Sequence, residues 1–155
     1  MIAAAAALAH FLRLSGWHGL RSWSEAIVWI LQAGYAWFPI GLALKAIFVL
    51  AGASWAEHWQ HALGAGAAAT MIMAVMTRAS LGHTGRPLRV SRLIVVAYAL
   101  LIASVILRVF GASVLQLQYA TTITTAGALW ILAFLLYSGV YVPILTRPRA
   151  DGKPG

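Results

Sequence analysis

Glu57, His58 and His61 are the densest group of metal-ligating side chains in this 155-residue sequence. On an α-helix His58 and His61 stand three apart and Glu57 and His61 four apart, so all three share one sector. Such a group can ligate a metal ion or a haem iron, His61 first and His58 beside it, with Glu57 orienting an imidazole from behind. The competing reading is a capping acid followed by two histidines solvated at a helix end. Further along the same segment, Met73 and Met76 lie on one helical face near Met71. Thioethers suit Cu(I), and they equally serve as packing in an apolar helix. With no Cys anywhere, thiolate sites, disulfides and covalent c-type haem attachment are excluded.

Two more groups carry charge or specific turn chemistry. Lys45 and Arg108 are the cations set deepest in apolar segments, at a level close to Glu57, and the three predict a polar vestibule at one membrane face. Snorkelling of the two long side chains toward headgroups is the simpler alternative. The run RASLGHTGRP, residues 78–87, combines Arg78, Gly82, His83, Gly85 and Arg86. Its glycines suit a tight turn at a helix end and its arginines suit headgroup depth. It reads as a topological anchor, or as a structured cap over the bundle with His83 hydrogen-bonded inside. His10 and Gln32 are polar residues within apolar segments, better explained as satisfied core residues than as ligands.

The elements that must position these residues follow from composition. Hydrophobic residues make up 62% of the chain and charged ones 9%, against about 45–50% and about 25% in soluble domains. The sequence therefore predicts an all-α, polytopic transmembrane bundle. Its net charge of +8 does not point to nucleic acid, because the arginines lie mostly between apolar segments rather than along one polar face. Residues 1–14 form a partial span, and 26–53, 55–77, 93–115 and 121–145 form four full ones, with 1–145 as the bundle and 146–155 as a basic tail. Ser54 and Glu57 have capping-box spacing, which would start the third helix at Trp55. The small-residue surface from Gly64 to Ala69 predicts that this helix lies inside the bundle, with Gly64 and Ala68 intolerant of leucine.

Loop charges give the orientation. The first loop has Arg13 and Arg21, the Ser54 loop no Lys or Arg, the third loop Arg78, Arg86, Arg89 and Arg92, the fourth none, and the tail Arg147, Arg149 and Lys153. By the positive-inside rule the first and third loops and the tail are cytoplasmic, and Glu57, His58 and His61 face outward. Trp55, Trp59 and Tyr119 then form an outer aromatic belt, and Trp23, Tyr137 and Tyr141 an inner one.

The stretch AVMTRASLGHTGRPL, residues 74–88, together with His61-Ala62-Leu63, Ala69-Thr70-Met71 and WILQAGYAW at residues 29–37, resembles the signature of the NnrS family. The resemblance implies a bacterial inner-membrane protein of the nitric oxide response that contains haem and copper. It also implies about a dozen spans in the whole protein, so that this chain would be a C-terminal portion partnered by the preceding spans. Where the family stretch carries a histidine this chain has Gln32, a poor haem ligand. Two functions from different classes follow: a haem- and copper-binding protein against nitrosative stress, or a cofactor-free transporter or structural remnant in which Lys45, Arg108 and Glu57 serve transport or assembly.

Overall fold

Among the described residues, long apolar runs broken by glycine, proline and arginine produce five helices. They are α1 (Ile2–Ser15), α2 (Ala26–Ala51), α3 (Ser54–His83), α4 (Arg92–Gly111) and α5 (Tyr119–Leu145). The computed structural model describes residues 1–17, 19 and 24–152; Arg21, Trp23 and Lys153 lie outside them. The last four helices are long and apolar enough to cross a membrane, and α1 is a shorter apolar helix. The chain is a multi-pass membrane protein with the predicted all-helical architecture.

The chain runs as antiparallel neighbours. α1 packs on α2, α2 on α3 and α4 on α5, while α3 also reaches α4 and α5 and so joins the two halves. Gly52 ends α2 in the left-handed region (φ 63°), its amide donating to the Phe48 carbonyl at 3.1 Å, which lets the chain reverse into α3. In a bilayer, helices gain little from hiding apolar surface from lipid, so close packing and interhelical hydrogen bonds must hold the bundle. One buried cluster near the arginine-rich end includes Ile30, Met73, Ile94, Tyr98, Leu101 and Tyr137. A second, near the Glu57 end, includes Trp37, Leu44, Ala62, Val105 and Val109.

The sharpest departures from expectation are in α3. No capping box forms: Ser54–Ala56 is a 3₁₀ turn capped by Ala53, and no side-chain bond caps it. His58 has a non-helical backbone (φ −81°, ψ 19°), and the α-helix begins at Trp59. The next eight residues, Ala62–Ala69, are π-helical. At its far end α3 does not stop at Thr77 but continues as α-helix to His83. Gly82 is therefore an exposed helical residue, and the turn belongs to Gly85 at φ +68°. The Arg86 amide donates to the Leu81 carbonyl at 2.9 Å and the Gly85 amide to that of Gly82 at 3.2 Å, a Schellman pair. Thr84 Oγ1 donates back to the Ser80 carbonyl at 2.6 Å, and the Ala150 amide reaches the Thr84 carbonyl at 3.0 Å. The 78–87 run is thus a structured cap with the tail laid against it. His83, however, is exposed, and no hydrogen bond fixes it among the described residues. In the tail, Arg149 pairs with Asp151 through two contacts of 2.9 and 2.7 Å, and this carboxylate raises the Arg149 pKa.

Small residues direct the packing, though not all those expected. A Cβ on Gly66 would lie 2.7 Å from Trp37 Cγ, and one on Gly34 2.8 Å from Met71 Cγ, so α2 and α3 approach through glycine from both sides. Gly64 meets nothing within 4 Å, and both it and Ala68 are exposed. The expected intolerance of leucine therefore moves from Gly64 and Ala68 to Gly66, because only the Gly66 side of the helix faces α2. Tyr137 and Tyr141 are also buried in the core rather than placed in an interfacial belt.

Candidate functional site

His61 lines a cleft of about 320 Å³ between α3, α4 and α5. Ala65, one turn along α3, leaves space beside the imidazole, and Ala126 and Gly127 do the same from α5. Trp130 supplies an aromatic wall, and Ser104 and Arg108 come from α4. The Ser104 hydroxyl is already committed, donating to the Ala126 carbonyl at 2.7 Å. Interhelical bonds of this kind contribute about 0.6 kcal/mol in membrane proteins and here fix the α4–α5 side of the cleft. Besides Ser104, the lining residues that carry polar side-chain groups are His61, Arg108 and, through its indole N–H, Trp130.

Both residues sit at irregular helix. His61 immediately precedes the π-helical Ala62–Ala69, and Arg108 lies inside a second π-helical segment, Leu107–Gly111. A π-turn widens the helix and rotates the following side chains, and such turns are found often at functional sites. Here two of them border one cleft.

The remaining site residues fall into separate places. Glu57 Oε1 lies 3.7 Å from His58 Nε2, so the acid stands beside His58 rather than behind His61. The tight turn through His58 breaks the four-residue helical relation on which the expected Glu57–His61 pairing depended. The His58 and His61 rings remain neighbours, with centroids 5.7 Å apart. Lys45 Nζ sits 4.7 Å above the Trp59 ring, a cation–π contact. Among the described residues no ion pair links Glu57 to Lys45 or Arg108. Met73 is fully buried in the other half of the bundle. Met76 and His83 share a different cleft, of about 410 Å³, with Ser80, Tyr137 and Tyr141. At 1.5 Å per residue, Met73 is roughly 18 Å and Met76 roughly 22 Å along the helix from His61, too far for one ion. His10 is satisfied: its Nδ1 is 2.6 Å from the Tyr35 hydroxyl, and its ring meets Phe38 edge-on at 4.7 Å.

Ser104 and Trp130 were not singled out from sequence. Ser104 is four residues before Arg108, so a polar pair on one face of an apolar helix was readable; Trp130 carried no comparable signal.

The NnrS protein family matches residues 1–149. The chain belongs to the NnrS family. The match runs from α1 to Arg149, one residue short of the Ala150 amide that docks on Thr84, so it covers the cleft and the Gly85 turn alike. No curated protein and no solved structure matches it.

Of the haem and copper that the sequence resemblance implies, the donors of the cleft suit one better than the other. Among the described residues no three His, Cys, Asp or Glu side chains are gathered as a metal cage. A copper ion would have His58 and His61 and no methionine within reach, a poor donor set. A haem needs one imidazole and apolar walls, and His61 with Ala65, Ala126, Gly127 and Trp130 fits that requirement.

Proposed function

We propose that this chain provides a haem-binding wall in an inner-membrane protein of the bacterial nitric oxide response, with His61 as the iron ligand. The observation that carries the reading is an imidazole facing an apolar cleft between three spanning helices in a chain of the NnrS family. A haem bound there would supply an iron centre able to coordinate nitric oxide or exchange an electron. His61 would hold it, the small residues of α3 and α5 would admit it, and the apolar lining would exclude water. Copper, the family's other metal, is assigned no site on this chain. Further spans of a longer protein would complete the surroundings of the haem.

The test is spectroscopic. The chain, purified in detergent and loaded with ferric haem, should show a Soret band and bind about one haem per chain. Absence of any retained haem would overturn the reading and leave a cofactor-free carrier or a structural element in its place.

Orientation belongs to the same proposal. With Arg78, Arg86, Arg89 and Arg92 at one end, that end faces the cytoplasm and the His61 cleft lies in the outer half. As the chain has no native Cys, Arg86→Cys offers a unique thiol. It should resist an impermeant maleimide added to intact cells and react after lysis. Labelling in intact cells would reverse the assignment.

A further inference from the structure

Arg108 is a permanent charge on a spanning helix, half-buried, and among the described residues no ion pair neutralises it. Only three acidic residues exist in the sequence. Asp151 is taken by Arg149 in the tail, and Glu25 precedes α2 at the arginine-rich end. Glu57 is exposed beside His58. An unpaired cation at the centre of a spanning helix costs about 2.5–3.5 kcal/mol on insertion scales, less near its end, so such a residue normally has a partner or reaches the interface. Among the described residues no acidic group pairs with Arg108, so an anion supplied from outside this chain can take that place.

The cleft limits what that partner is. Arg108 and His61 line it together, and the Ser104 hydroxyl is already used. The space therefore offers a nitrogen donor for a metal and, beside it, a guanidinium fork for an oxyanion, between apolar walls. A ligand complementary to all three is flat and apolar, with a metal at its centre and a carboxylate at its rim. From this juxtaposition of Arg108 and His61 in one cleft we propose that Arg108 anchors a carboxylate at the rim of the haem, which fixes which edge of the ring points toward the outer surface. The inference rests on the His61 reading and adds the orientation of the ligand. A lipid phosphate presents the same oxyanion chemistry to the guanidinium, and blocking the carboxylates separates the two sources.

Wild-type chain in detergent is titrated with ferric haem and with its dimethyl ester, whose carboxylates carry no charge, and binding is followed by the Soret band. A charge-assisted hydrogen bond of ordinary strength predicts that wild type binds haem about tenfold or more tightly than the ester. Arg108→Gln should bind both forms equally, at the level of the ester on wild type. Equal affinity of wild type for the two forms would overturn the carboxylate anchor, assign the guanidinium to headgroups, and leave the His61 reading standing. Failure of wild type to bind either form would overturn both. The wild-type comparison holds even where Arg108→Gln folds poorly.

Discussion

Replacing Gly66 by leucine should remove most of the folded protein. Gly66 lies in the π-helical part of α3, directly against Trp37 of α2: an added Cβ would stand 2.7 Å from the indole Cγ and 2.9 Å from its Cβ. The indole cannot simply swing away, because it is buried and stacks on Phe110 of α4 with ring centroids 6.1 Å apart. Leucine would therefore push on three helices at once. Overpacking a close-fitted core costs about 1–3 kcal/mol and sometimes more, and in a bilayer the lost contacts are the very ones that hold the helices together. Gly64→Leu is the matched control, since its Cβ would meet nothing within 4 Å. Yield of monodisperse protein and thermal stability in detergent should fall sharply for Gly66→Leu and hardly change for Gly64→Leu. Equal behaviour of the two would mean that α3 does not pack on α2 through this glycine.

That pair of glycines also marks where sequence reading reached and where it stopped. Spans are legible because twenty or so apolar residues between loops have few other interpretations, and the five expected segments match the five helices to within a few residues at most ends. The bounds of α3 were not legible. Its early turn through Ser54–Ala56 and its continuation through Gly82 depend on where backbone groups find partners, and the Schellman pair at Gly85 supplies those partners two residues beyond His83. The π-helical segments were invisible for a related reason: nothing in ALGAGAAA distinguishes a wider turn from a regular one. Because those segments rotate the helix, residue spacing could identify a small-residue surface but not which of Gly64 and Gly66 faces α2.

The site was legible one residue at a time. His61 stood out as an imidazole on a spanning helix, and Arg108 as a cation set deep in an apolar segment. Their juxtaposition was not readable, because it needs the faces of α4 and α5 as well as the turn that carries Glu57 away toward His58. Reach along the helix explains why His61 and the methionines separate: Met73 and Met76 are in the same helix, several turns toward the other end.

The measurement closest to the central claim is the visible spectrum and haem stoichiometry of His61→Ala, with His58→Ala beside it, in protein loaded with haem under identical conditions. Removing the one imidazole that lines the cleft among the described residues should abolish or shift the Soret band and lower retained haem by more than about tenfold, since even outer groups that support a ligand change affinity by about 10–100-fold. His58→Ala, which leaves that imidazole in place, should keep both band position and stoichiometry close to wild type. An unchanged spectrum and full haem content in His61→Ala would contradict the account and return His61 to the role of an interfacial residue.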